Sequence, residues 1–263
     1  MHRAEINGVT RHVRPVSFHD HFSRDAGSYA AFRPRYPASL FAALAATVPR
    51  HDSAWDAGTG NGQAAVALAD HFVHVVATDA STAQIAAASP HERVEYRVAR
   101  SDASGLDDDS ADLVTVAQAL HWFDIPAFFA EARRVLRPHG VVAAWTYGLM
   151  TIDPAIDQII ADFENRKVGP YWPGERRLVD TGYRTVEFPF DELSLPTFVM
   201  EQPMTLDTLA GYMRTWSSVA RYMQAHGDDP VGPFIDAIAP WWGDKTRVRT
   251  VSFPLSVRAG RRE

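Results

Sequence analysis

From residue 37 to residue 139, short apolar runs alternate with alanine-rich or amphipathic stretches, the rhythm of βαβ units and a mostly parallel sheet. Residues 40–48 read as a helix, 53–56 as a first strand, 62–71 as a second helix, and 73–78 as a second strand ending at Asp79. Ser81 is placed to cap a helix reaching Ala88, and Pro90 ends it. Residues 94–98 alternate as a third strand and 113–117 form a fourth. A helical period covers 125–136, Pro138-His139-Gly140 reads as a turn, and 141–145 as a fifth strand. After Tyr147 proline and aromatic residues become more frequent. Strands at 185–188 and 248–257 are expected there, separated by helical segments near 206–223 and 233–242, as a cap inserted into the sheet's last hairpin. No Gly/Ser-rich linker marks off a separate C-terminal domain.

Composition narrows the function classes. A chain of 263 residues, 46% hydrophobic, can bury a core without staples, and the absence of cysteine excludes disulfides, thiolate metal sites and a cysteine nucleophile. A reducing cytoplasm is the expected compartment. Residues 1–14 lack an apolar h-region, and no stretch approaches ~18 uninterrupted apolar residues, so neither export nor membrane spanning is expected. The net charge is −6 and the only basic block is the short stretch 258–262, which favours a small-molecule partner over nucleic acid.

The densest chemistry lies in Asp56-Ala57-Gly58-Thr59-Gly60-Asn61-Gly62, at the junction of the first strand and an alanine-rich helix. Glycines at alternate positions let the main chain bend sharply and approach a ligand. A carboxylate at the mouth of such a loop would repel pyrophosphate and attract the amine and sulfonium of S-adenosylmethionine. Yet Gly60-Asn61-Gly62-Gln63-Ala64-Ala65 also satisfies the dinucleotide pattern G-x-G-x-x-A, and Asp79, 19 residues after Gly60, suits the ribose diol of either ligand. Asp102, followed by Ala103 after the third strand, is placed either to accept from an adenine amine or to make an Asx turn. The fourth strand runs into Gln118-Ala119-Leu120-His121-Trp122-Phe123 at the sheet's carboxyl edge, where ligands of open α/β sheets bind.

Trp55-Asp56-Ala57-Gly58-Thr59-Gly60-Asn61-Gly62, Asp79, Gln118-Ala119-Leu120-His121-Trp122-Phe123 and Arg133-Arg134-Val135-Leu136-Arg137-Pro138-His139-Gly140 together resemble class I S-adenosylmethionine-dependent methyltransferases. Tyr29-Ala30-Ala31-Phe32-Arg33-Pro34-Arg35-Tyr36-Pro37 and Thr215-Trp216-Ser217 are similar to the trans-aconitate methyltransferase-like branch. The resemblance implies a Rossmann-like α/β fold, a seven-stranded mostly parallel sheet with its last strand antiparallel, plus a helical cap. It implies an N-terminal helical lid over 1–45, a cofactor-binding core over 46–150, and over 151–263 the rest of the sheet with the acceptor cap. The glycine loop would cradle the methionine part, with Asp79 on the ribose, Asp102 and Ala103 at the adenine, and Gln118 beside the methionyl group. Tyr29 and Arg33 would lie near the cofactor carboxylate and the lid. The product would be S-adenosylhomocysteine. An NAD(P)-dependent oxidoreductase on a similar sheet, or a cofactor-binding protein without turnover, are the alternatives.

Methyl transfer is an in-line displacement that needs alignment and exclusion of water. A carboxylate acceptor requires no general base; a hydroxyl, amine or carbon acid would, and His121 is the best placed by sequence. No metal is expected: His19-Asp20-His21 offers no third ligand, and Asp107-Asp108-Asp109 reads as a solvated loop. Among the cap's aromatic residues, Trp172 in a Pro/Gly-rich loop and Trp216 are candidate acceptor contacts. Arg214 and Arg221, seven apart, would share one helical face if that helix is continuous, and so could bind an acidic acceptor.

Overall fold

The computed structural model describes residues 33–263. Helix α1 (Ala38–Ala45) leads to strand β1 (Ser53–Ala57), then α2 (Gln63–Leu68), β2 (His74–Asp79), α3 (Thr82–Ala86), β3 (Val94–Val98), β4 (Ala111–Ala117), α4 (Ile125–Val135) and β5 (Leu136–Tyr147). Ser81 accepts from the Gln84 N–H and Asp124 from the Ala127 N–H, so α3 and α4 start at capping side chains. The second half contributes α5 (Pro154–Asp162), a π-helical turn at Phe163–Lys167, α6 (Arg176–Asp180), β6 (Asp191–Glu192), β7 (Phe198–Met204), α7 (Leu206–Arg214), α8 (Ser217–His226), α9 (Val231–Trp242) and β8 (Arg249–Arg261).

Eight strands occupy seven positions in the order β3-β2-β1-β4-β5-β8, with β6 and β7 both paired to β8. The pairs from β3 to β5 are parallel, and β8 runs antiparallel to β5, β6 and β7. Alternation sorts the side chains onto two faces. Ala54, Leu113, Val141 and Trp145 pack with Leu40, Phe41 and Leu44 of α1 and Ala64 and Leu68 of α2. Trp55, Val76, Val114 and Val142 pack on the other side with Phe128, Phe129 and Ala132 of α4. Both faces of the central strands are therefore buried, which is why they read as continuous apolar runs.

A third cluster joins α5, α7, α8 and α9 to the end of the sheet through Ile156, Leu209, Tyr212, Trp216, Tyr222 and Phe253. These helices are the expected cap, and α7 to α9 lie between the hairpin strands β7 and β8. No helix among the described residues is long and apolar enough to cross a membrane.

Three local expectations are corrected, and one strand is added. Pro138-His139-Gly140 is no turn between elements but a bulge within β5: Ala111 pairs Leu136 and Leu113 already pairs Val141, with His139 at φ 66°. Residues 185–188 form no strand, because the chain makes successive tight turns from Thr181 and reaches the edge of β8 only at β6. Strand β7 was not foreseen, its alternation being interrupted by Pro203. Arg214 and Arg221 do not share a helix, since the chain breaks at Thr215 and Trp216 between α7 and α8.

Candidate active site

The sheet order reverses between β1 and β4, leaving a crevice at their carboxyl ends. The loop after β1 fills it with Gly58, Gly60 and Gly62 at φ 67°, 56° and 87°, a left-handed backbone that favours glycine. A Cβ on Gly58 would stand 2.7 Å from Ala119 Cβ and 2.8 Å from Phe123 Cζ, and one on Gly62 would stand 2.8 Å from Tyr96 Cζ. Those two glycines make room for the protein's own side chains. A Cβ on Gly60 would meet nothing nearer than Gln84 Oε1 at 3.8 Å, so the loop is open there. That open backbone fits a cofactor laid along the loop.

Asp56 is fully buried beneath the loop and not at its mouth. Its carboxylate accepts from Thr59 Oγ1 at 2.6 Å and from Thr115 Oγ1 at 2.7 Å, so it braces β1, its loop and β4 together. Burial pushes its pKa up to about 6, against the opposing hydroxyl bonds and with a contribution from the charge of Asp79. Since the folded pKa lies above the unfolded one, this group favours folding at low pH, and that contribution is lost as the pH rises through about 6. The Asp56→Asn variant is therefore expected to gain stability relative to the wild type between pH 4 and pH 7, by up to roughly 3 kcal/mol. Parallel stability curves in urea titrations at the two pH values would show that Asp56 does not titrate in this way.

Asp79, ending β2, accepts from the Gly60 N–H at 2.9 Å and from the Ser81 N–H at 2.8 Å. Each carboxylate oxygen has more than one acceptor direction, so these bonds are compatible with holding a ribose diol. Past β3, Asp102 is gripped by Arg100 at 2.8 and 2.6 Å, which holds its pKa below the usual carboxylate range. Ala103 closes this turn onto the Arg100 carbonyl at 3.2 Å. The neighbouring Ser104 donates through N–H and hydroxyl to Glu131 of α4, whose pKa is lowered to about 2 chiefly by its bonds from Arg134. The turn expected at the adenine end is thus firmly held.

Beyond β4, Gln118 adopts φ 54°, an uncommon conformation for a non-glycine residue. Its N–H donates to the Trp145 carbonyl at 2.9 Å and its Oε1 accepts from the Thr146 hydroxyl. Gln118, His121 and Trp122 face a cavity of about 90 Å³ that the cap closes with Trp172, Arg176, Tyr212 and Trp216. Arg33 reaches the same cavity, donating to Tyr147 Oη at 2.7 Å and to the Thr215 carbonyl at 3.3 Å. Tyr29 and His19-Asp20-His21 lie outside the described residues. Among the described residues no cluster of His, Asp and Glu is arranged to hold a metal ion.

His121 is largely buried, and its Nδ1 is 2.9 Å from Tyr183 Oη. Desolvation, with the nearby Arg176 charge adding to it, lowers the imidazole pKa to about 4, so the ring is neutral near pH 7. Trp172 and Trp216, the candidate acceptor contacts, line the cavity with their rings 5.5 Å apart. Arg214 does not; it pairs with Asp229 at 2.7 Å on the cap's outer side, and Arg221 is likewise not among the lining residues. The break at Thr215 and Trp216 is the physical reason.

Arg176 is the basic residue that the sequence did not single out. Its Nε donates to Asp180 and its Nη2 to Glu164, each at 2.8 Å, and its guanidinium stacks 4.3 Å from the Trp172 ring centre. Its run Glu175-Arg176-Arg177 gives no hint that one of two adjacent arginines turns inward. Tyr147 could have been found, because it ends β5 at the same carboxyl edge as Gln118.

A methyltransferase-domain family matches residues 55–144, from β1 to β5. A Dictyostelium discoideum protein that is a methyltransferase by name is 32% identical over 257 residues, covering 95% of this chain and 97% of its own length. A solved structure from Anaeromyxobacter dehalogenans, described as a type II methyltransferase, superposes with a TM-score of 0.84 at 43% identity, covering 88% of this chain and 98% of that one. A Saccharomyces cerevisiae protein whose name makes it S-adenosylmethionine-dependent is 28% identical over 136 residues, 46% of this chain and 41% of its own. The glycine loop at the switch point, Asp79 at the tip of β2 and these likenesses converge: the chain belongs to the class I S-adenosylmethionine-dependent methyltransferases. The dinucleotide pattern at Gly60 accordingly marks shared loop geometry and not a nicotinamide site.

Proposed function

We propose that the protein transfers the methyl group of S-adenosylmethionine to a carboxylate oxygen of a small acidic acceptor bound in the cavity under the cap. The observation that carries this reading is the charge of the lining: among the described residues it holds two guanidinium groups, Arg33 and Arg176, and no carboxylate. Planar, fixed guanidiniums match a carboxylate through paired hydrogen bonds. Asp180, Glu164 and the Trp172 face hold Arg176 in one orientation, and its Nη1 has no protein partner among the described residues. Cofactor binding is assigned to Gly58, Gly60, Gly62, Asp79, Asp102, Ala103 and Gln118, with Asp56 acting from beneath the loop; Tyr29 is retained from the family resemblance.

When bound, the cofactor supplies an electrophilic methyl on a sulfonium. The acceptor's carboxylate oxygen would form the new C–O bond as the C–S bond breaks, its electron pair leaving with sulfur, to give a methyl ester and S-adenosylhomocysteine. The chain's part is to align the two groups in line and to exclude water, for which Trp122, Trp172 and Trp216 are suited. An ionised carboxylate has no proton to lose, which agrees with the low basicity of His121.

Incubation with S-adenosylmethionine and panels of small carboxylates, phenols and amines tests the reading. Base-labile methyl esters and S-adenosylhomocysteine are expected from the carboxylates; turnover confined to phenols or amines would refute the acidic acceptor. Cofactor binding without turnover across all panels would instead mark a protein that binds the cofactor without catalysis. Arg176→Gln is expected to raise the KM for the carboxylate roughly 10- to 100-fold, the scale of a lost bond to a charged group, with S-adenosylhomocysteine affinity unchanged by calorimetry.

A further inference from the structure

Just before residues 185–188, where a strand was expected, Gly182 and Tyr183 both take left-handed backbone, at φ 58° and 61°. For glycine this is free, but for tyrosine it costs about 1–3 kcal/mol and persists only where surrounding structure enforces it. The enforcing contacts are clear. A Cβ on Gly182 would stand 2.6 Å from Ser256 Oγ, and Arg258 donates to the carbonyls of Tyr183 and Val186 at 2.8 Å each. The turn drives the Tyr183 ring into the interior, fully buried, stacked 6.1 Å from the His121 ring, with its hydroxyl on Nδ1.

From this geometry we infer that Tyr183 is a positioning residue: it donates its hydroxyl proton to His121 Nδ1, fixing the imidazole proton on Nε2, so that His121 presents a hydrogen-bond donor to the acceptor's oxygen. The proton count supports this direction. A buried hydroxyl has to donate to something, and the candidates at the Tyr183 oxygen are His121 Nδ1 and the Thr146 hydroxyl. An unprotonated imidazole nitrogen is the more basic of the two. Burial keeps the phenol protonated and the imidazole neutral. Nε2 has no protein partner among the described residues, and His121 lines the cavity.

His121 then orients an anionic oxygen and takes no proton from it, which revises the general-base role that its place in the sequence suggested. The identity of that oxygen rests on the acidic-acceptor reading; the position of the proton does not. The two can therefore fail separately.

The test is ¹⁵N NMR of histidine-labelled enzyme at pH 7, with S-adenosylhomocysteine added. The His121 signals, one set among eleven histidines, are identified by their loss in His121→Asn. A pyridine-type Nδ1 and a pyrrole-type Nε2 are expected in the wild type, and a downfield shift of Nδ1 in Tyr183→Phe as the accepted bond is lost. A pyrrole-type Nδ1 in the wild type would overturn the inference even if Tyr183→Phe fails to fold, as would an unmoved Nδ1 in a folded Tyr183→Phe. Benzoate, as a minimal carboxylate, is then titrated in. A downfield shift of the Nε2 proton supports the contact with an acid. A proton that stays in place at saturating benzoate overturns that contact while leaving the tautomer assignment intact.

Discussion

Replacing Gly58 with alanine is expected to lower the unfolding free energy by about 2–5 kcal/mol, combining the cost of a left-handed alanine with that of overpacking. The added methyl would stand 2.7 Å from Ala119 Cβ and 2.8 Å from Phe123 Cζ. Neither neighbour can yield cheaply, because both belong to the turn that carries Gln118 and His121 into the cavity. Cofactor affinity should fall together with stability. Gly60→Ala makes the useful contrast: among the described residues its methyl meets no protein atom nearer than 3.8 Å, so its cost in stability is the backbone strain of about 1–2 kcal/mol, while in the proposed site the methyl would intrude on the cofactor. Urea unfolding and S-adenosylhomocysteine calorimetry on the two variants check this. A Gly58→Ala protein with wild-type midpoint and affinity would mean that the two loops are not packed as described.

Asp79→Ala is expected to weaken S-adenosylhomocysteine binding by about 1.5–3 kcal/mol, or roughly 10- to 150-fold in Kd, the range for hydrogen bonds to a charged group. The loss has two sources. In the proposed site the ribose would lose its acceptor, and the N–H groups of Gly60 and Ser81 lose the carboxylate that ties the tip of β2 to the glycine loop. Asp79→Asn keeps one acceptor oxygen and should fall between the two proteins. An unchanged dissociation constant in Asp79→Ala would remove Asp79 from the cofactor site.

The central strands of the parallel half were legible because they are buried on both faces and bounded by Gly and Pro, and β3 by its alternation; Ser81 starts its helix where the sequence puts it. The bent, left-handed backbone of the glycine loop was legible because it is a local feature of seven residues. The depth of Asp56 was not. Whether a carboxylate after a strand faces the ligand or the interior depends on Thr59 and Thr115, and Thr115 is 59 residues away. The acceptor side was harder still. Arg214 and Arg221 looked paired on the assumption of one helix, while the inward arginine, Arg176, is selected by Glu164 on a π-helical turn that no periodicity announces. Tyr183 was hidden by a β-like composition, Thr185-Val186-Glu187-Phe188, next to a turn whose left-handed tyrosine only tertiary contacts can impose.

The two flanks of the sheet bear on how molecules of this protein meet one another in a crowded solution. Strand β3 closes one flank with Glu95 and Arg97 paired to each other at the surface, and at the other flank the edge is split between β6 and β7 and carries Pro203, which has no N–H to offer. Charge, discontinuity and a missing donor each spoil a template for adding a foreign strand. Of the described residues, neither flank presents the long, flat, apolar ribbon that invites strand-upon-strand addition, so the sheet's edges are poor templates for another chain's strand.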